Sequence, residues 1–350
     1  MGTRPKGALL VGAVNLETVP DVFREVASAL SDRLRRIPDG EPGSRRQWIS
    51  YQYPLLASKT FLEWAETPAE SGRALVRLKL CAGVGDDEIR FGELGYSREA
   101  RASYLDFKRL KEEGKIPRHC RLQICLPGPL SVVGSFIVRD SQKRVGAAYE
   151  RDMLREVERI CASVPHDELA IQWDLAYEMV WWDRQIFDRS PNFPRPYFDD
   201  IEGELTRAAK RWADAVPSDV ELGVHLCYGD FKHKHFIEPQ DCRKMTELAN
   251  AISAAVTRRI EWMHLPIPRQ FMEAQLFAPL ADLKLHPETE LYLGLIHNTD
   301  GLDGARKRIA LAQTFVNSFG VATECGWGRR PSSAIASLLK IHAATCDAVA

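Results

Sequence analysis

Short apolar runs alternate with longer amphipathic stretches along most of the chain, and this alternation leaves few folds open. Strand-like runs occur at Ala8–Leu16, Ala74–Cys81, Arg121–Leu126, Glu168–Asp174, Glu221–Cys227, Arg259–Leu265, Glu290–His297 and Gly320–Cys325. Between most of them the apolar residues recur with the period of a helix that buries one face. Such stretches are Pro20–Arg35, Ala147–Val164, Ile201–Ala215, Asp241–Ala255, Leu302–Val316 and Ser332–Cys346. Pro20 suits the first turn of its helix, where no backbone N–H is needed. Strand, helix, strand in repetition predicts parallel pairing with the helices outside. About eight such units predict closure into a barrel rather than an open sheet. An open doubly wound sheet would usually carry a glycine-rich dinucleotide turn after its first strand. Here that strand ends VGAVNLET, which is not such a turn. The expected fold class is α/β: a (β/α)8 TIM barrel with long loop insertions at its C-terminal face. A barrel of this kind accommodates all 350 residues as a single domain, 1–350.

Two segments interrupt the alternation, 37–70 and 176–200, both rich in aromatic and polar residues. Insertions after strands are where barrel enzymes build their binding surface. The net charge is −1, from 47 basic and 48 acidic residues, so no global field argues for nucleic acid or for a membrane surface. There is no run of about 18 apolar residues to span a bilayer, and GALLVGAVNL is too short for a secretory leader. A cytoplasmic location and reduced thiols are expected. Cys81, Cys120, Cys161, Cys242 and Cys346 read as packing residues.

Several strand ends carry side chains with chemistry. In VHLCYGD, alternation along a strand places His225 and Cys227 on one face. They stand at the C-terminal end of the strand, where barrel active sites form. Imidazole with thiolate suits zinc, although a strand can carry such a pair without metal. Cys325, in ATECGWGRR, ends a later strand and is followed by glycines that permit close backbone approach. Only the barrel brings Cys325 near Cys227, because no local zinc-finger spacing links them. His264, in RIEWMHLP, ends a strand between these two, and Glu261 is an alternative ligand on the opposite strand face. His297, in LGLIHNTDG, suits general acid–base work near neutral pH or a plain buried hydrogen bond. Asp174, in AIQWDLAYE, could receive an ammonium group or a metal. Asp39 and Glu41 flank Gly40 in a proline- and glycine-rich segment that also reads as a solvated turn.

Taken together, these motifs resemble the C-terminal catalytic barrel of cobalamin-independent methionine synthase, within the superfamily that includes uroporphyrinogen decarboxylase-like barrels. HLCYGD resembles the segment that supplies two zinc ligands there, and ATECGWGRR the segment that supplies a zinc thiolate, matched by Cys325. IHNTDG resembles the segment of the catalytic histidine, matched by His297. IQWDLAYE and DGEPGSRRQW resemble the substrate-binding segments, matched by Asp174 and Glu41, and LPGPLSV resembles the family's GP turn. By strand position His264 stands where the family often has a glutamate ligand. Leu175 replaces a second acid, and Gly12–Ala13 replaces a Gly–Ser pair. The resemblance implies zinc held by His225, Cys227, His264 and Cys325, and transfer of a methyl or other alkyl group to a small thiol. Its partners would be that thiol and an alkyl donor. The alternatives are zinc-dependent thiol addition or lyase chemistry, and a non-catalytic relative that keeps the metal.

Overall fold

The computed structural model describes residues 4–66, 75–231 and 234–349. Its strands are β1 (Arg36–Pro38), β2 (Leu62–Trp64), β3 (Leu78–Leu80), β4 (Arg121–Pro127), β5 (Leu169–Leu175), β6 (Glu221–Leu226), β7 (Trp262–Pro266), β8 (Glu290–Ile296) and β9 (Gly320–Thr323). Seven of them form one curled parallel sheet in the order β1-β4-β5-β6-β7-β8-β9. The fold is α/β and consistent with a TIM-like barrel that regular strand pairing does not fully close.

The expected first strand, Ala8–Leu16, forms no continuous ladder. It makes isolated parallel bridges instead, Ala8 to Val321 and Val14 to Trp327. Its backbone still bonds to both sides of the gap. The Leu9 N–H donates to the Val321 carbonyl at 2.9 Å, and the Val14 N–H to the Gly40 carbonyl at 2.8 Å. The expected second strand, Ala74–Cys81, is corrected as well. Ala74 lies outside the described residues, and Leu78–Leu80 pairs antiparallel with β2 in a separate two-stranded sheet. The second place in the barrel belongs to β1, three residues that include a charge and a proline and so show no strand periodicity.

The sheet has two apolar faces. Leu169, Ile171, Trp173 and Leu175 of β5 join the large core between sheet and helices, while Ala170 joins an inner cluster with Leu9, Val11, Trp262, Tyr292 and Ala322. Strands buried on both faces lose the polar alternation of a half-exposed sheet. The inner face also carries polar groups. Arg36 is 4% exposed, bonds Glu221 and Glu290, and lies 4.3 Å above the Trp262 ring. Breaking a buried ion pair of this kind typically costs about 3–5 kcal/mol. This cluster fills the N-terminal end of the barrel and leaves the C-terminal end open.

The helices mostly follow the expected stretches with shifted ends. Val19–Leu30 starts at the Thr18 cap and stops before Arg35, because Ser31 turns the chain at φ 21° and Leu34 must bury. Arg139–Ser163 is longer than expected. Its buried Asp152 and Glu156 accept backbone N–H groups of Phe91, Gly92, Leu94 and Ser97, pinning the segment ahead of helix Tyr96–Glu112. Among the described residues no helix is long and apolar enough to cross a membrane.

Candidate metal centre

Parallel pairing brings the strand C-termini to one end, and the site forms there. Asp174 pairs in register with His225, and His225 with His264. Cys227 follows the last residue of β6, and its N–H donates to the Leu175 carbonyl at 3.0 Å. Cys325 follows β9 by two residues. Potential donor atoms of His225, Cys227 and Cys325 all lie within 4.8 Å of one another. The two sulfurs are 3.7 Å apart, and the Gly229 N–H donates to Cys227 Sγ at 3.3 Å. The adjoining Cys227 thiol and burial push the Cys325 thiol well above the ordinary range. A buried thiol and a half-buried one with one imidazole form a soft donor set, which fits zinc. A bound cation would favour the thiolates that burial opposes.

His264 stands beside this group rather than in it. Its Nδ1 is 2.7 Å from His225 Nδ1, and its Nε2 is 3.0 Å from the Thr323 carbonyl oxygen. Both nitrogens therefore have hydrogen-bond partners. Burial lowers the His264 imidazole to about 3, and burial with the neighbouring His264 lowers His225 well below its ordinary value. Glu261, the alternative ligand, is remote from the group. It accepts the Leu222 N–H and pairs with Arg258 and Arg259.

A cavity of about 260 Å³ opens onto the three donors. Its polar wall holds Glu41, Asp174, Arg46 and Arg329, and its apolar wall holds Trp48, Phe136, Tyr177 and Phe236. The two insertions contribute unequally. Segment 37–70 supplies Trp48 and Ile49 directly, whereas most of segment 176–200 supports from behind, with Phe193 packed on Tyr177 and Phe236. The glycines after Cys325 permit a close approach, but to this chain's own backbone. A Cβ on Gly328 would lie 2.8 Å from Ala13 Cβ and 3.0 Å from the Arg46 carbonyl oxygen. Trp327 is tied there by its N–H to the Ala13 carbonyl.

Glu41 and Asp174 both line this cavity. Glu41 has φ 48°, a left-handed conformation that costs a non-glycine residue about 1–3 kcal/mol. Asp39 holds it there: its Oδ1 accepts the Glu41 N–H, while Oδ2 accepts from Arg45 and Ser103. Asp174 accepts a hydrogen bond from Gln172 at 2.8 Å. Gln172 is a site residue that the sequence reading missed, although its place two residues before Asp174 puts it on the same strand face. Burial and then Asp39 raise the Glu41 carboxyl to about 8, and burial and then Glu41 raise Asp174 well above the carboxylate range. Arg329 faces the same space, and its buried Nε has no hydrogen-bond partner among the described residues.

The raised Glu41 carboxyl has a consequence for stability. Its folded pKa lies above its unfolded value, so its contribution is full below about 4.5 and is lost as pH rises through about 8. The slope in that window is at most about 1.4 kcal/mol per pH unit, less whatever water screens at this half-buried group. Glu41→Gln, a neutral isostere, is expected to flatten the fall in urea midpoint between pH 5 and 8. An unchanged slope would discount the raised pKa.

His297 does not line the cavity. It is buried, with Nε2 2.8 Å from the Ile267 carbonyl oxygen and Nδ1 3.5 Å from Glu324. Glu324 also meets His235 at 3.2 Å and Arg330 at 3.6 Å. Burial works against its charge, but His235 and His297 hold the Glu324 carboxyl well below the usual range. This ionic cluster braces the residue immediately before Cys325.

A curled parallel α/β sheet, consistent with a TIM-like barrel, with a histidine–cysteine–cysteine cluster at its strand C-termini is the class that fold and site define. No protein-family model matches the chain, and no curated protein matches it. Solved structures do. One is a candidate vitamin-B12-independent methionine synthase from Listeria monocytogenes, at 12% identity and TM-score 0.56, covering 98% of this chain and 96% of that one. Another is a B12-independent methionine synthase from a Shewanella species in complex with selenomethionine, at 13% identity and TM-score 0.61, covering 98% and 97%. At these identities the likeness is one of fold.

Proposed function

We propose that the chain is a zinc-dependent enzyme that transfers a methyl or other alkyl group to the sulfur of a small thiol. The observation that carries this reading is the convergence of His225, Cys227 and Cys325 in the wall of a cavity that also holds Glu41 and Asp174. The fold likeness to methionine synthases supports it. His225, Cys227 and Cys325 would hold the metal. Zinc there would supply a Lewis acid that lets a substrate thiol lose its proton near neutral pH. Glu41 and Asp174 receive the acceptor's ammonium, because an arriving cation favours the ionised carboxylates that burial and mutual repulsion oppose. Arg329 suits an acceptor that also bears an anionic group. The aromatic wall excludes water and packs the apolar part of the donor. His297 orders Glu324, and through it the strand end that carries Cys325, rather than touching substrate.

Purified protein is expected to contain zinc near one per chain and to consume small thiols only when an alkyl donor is present. Measuring thiol loss with and without a methyl-folate separates methyl transfer from thiol addition to an organic substrate. Protein without zinc after gentle purification, and inert towards thiols after zinc is added, would end this reading.

A further inference from the structure

The His225–His264 pair decides which atoms of the cluster are available to a metal. The Thr323 carbonyl oxygen can only accept a hydrogen bond, so at 3.0 Å the His264 Nε2 must carry a proton and donate it. Both imidazoles are buried, His225 at 2% and His264 at 0% exposure, and among the described residues neither has a carboxylate in hydrogen-bond contact. Neutral His264 with a proton on Nε2 has a lone pair on Nδ1. That lone pair faces His225 Nδ1 at 2.7 Å, so His225 must donate from Nδ1. His225 is left with its lone pair on Nε2.

We infer that His264 is a positioning residue rather than a metal ligand, and that it fixes His225 in the Nδ1–H tautomer with Nε2 as the ligating atom. The inference rests on the reading of His225, Cys227 and Cys325 as metal donors. The neighbouring geometry extends it. The Thr323 Oγ1 donates to the Cys325 carbonyl at 2.7 Å and accepts the Trp327 Nε1–H at 2.7 Å. One hydrogen-bonded chain therefore runs from the donor on β6, through His264 on β7, to the end of β9 that carries Cys325. A ligating histidine commonly has its other ring nitrogen bonded in this way, usually to a carbonyl or carboxylate. Here a second imidazole takes that place. With His264 in this role the chain supplies three donors, and one position of a tetrahedral zinc is left for a substrate sulfur, as in catalytic rather than structural sites.

The test uses the full chain, metal-free and zinc-loaded. Long-range proton–nitrogen NMR on the metal-free protein is expected to find the His225 proton on Nδ1 and the His264 proton on Nε2. With zinc, the shift should fall on His225 Nε2 and spare both nitrogens of His264. His264→Leu removes the acceptor and is expected to weaken zinc binding about 10–100-fold in a chelator competition. His264→Asn keeps an acceptor oxygen facing His225 and should recover most of that loss. A His225 proton on Nε2, a zinc-dependent shift on His264, or unchanged affinity in His264→Leu would overturn the assignment. Should His264→Leu fail to fold, the wild-type tautomers and His264→Asn still decide it. If the wild-type chain binds no zinc, the metal reading fails, and the metal-free tautomers still report on His264.

Discussion

Cys325→Ser is expected to leave purification without zinc and to bind added zinc several hundred-fold more weakly than the wild-type chain. Structural zinc sites release about 10–16 kcal/mol on four ligands, which shares out at roughly 2.5–4 kcal/mol for each, or about two to three orders of magnitude in affinity. Serine is a poor substitute, because its hydroxyl is a hard donor that stays protonated where a thiol ionises. The loss should exceed anything seen at His264, which would act on a bound metal only through His225. Cys227→Ser should match it, since the two sulfurs lie 3.7 Å apart and both belong to the group. Cys81→Ser, beside the small antiparallel sheet, should keep its zinc. Elemental analysis and chelator competition on the three variants check this. One zinc per chain at wild-type affinity in Cys325→Ser would remove that residue from the site.

The largest expected loss of stability comes from one methyl group inside the barrel. Gly223 on β6 pairs in register with Trp262 on β7, and a Cβ built on Gly223 would lie 1.8–2.2 Å from the indole ring. The ring has nowhere to go. Its Nε1–H donates to Gln172 at 3.1 Å, and Arg36 stacks on it at 4.3 Å. Overpacking a core commonly costs about 1–3 kcal/mol and more where neighbours are fixed, so Gly223→Ala is expected at or above about 3 kcal/mol. Adding Trp262→Leu to Gly223→Ala should recover part of the loss by removing the ring that the methyl meets. Urea denaturation of the single and double variants measures both effects. A midpoint unmoved by Gly223→Ala would mean that the ring is less constrained than its partners imply.

The sequence made the sheet legible wherever a strand was long. β4, β5, β6 and β8 begin or end within about a residue of their apolar runs, because burial on both faces demands continuous apolar sequence. It failed where tertiary contacts, rather than local pattern, make a strand. Arg36–Pro38 is held in register by β4 on one side, and Arg36 reads as a surface charge until Glu221, Glu290 and Trp262 surround it. Leu78–Leu80 has a strand's composition but pairs outside the barrel. The grouped side chains at the mouth, His225, Cys227 and Cys325, were legible as residue types at strand ends. The difference between His225 and His264 was not, since it depends on which atom faces the Thr323 carbonyl. His297 has the composition of a proton donor, yet a carbonyl and Glu324 occupy its two nitrogens.

The irregular segment at the barrel's gap also sets an order of events during synthesis. Leu9 bonds Val321, Lys6 bonds Phe319, and the Gly7 N–H donates to the Asp347 carbonyl, so this segment is held by residues made much later. At about 5–20 residues per second, roughly 300 residues of translation separate the emergence of Leu9 from that of its partner. During that delay a nascent chain has already presented His225 and Cys227 but not Cys325. The ring and its donor set are therefore completed together, by the same few residues that follow Phe319.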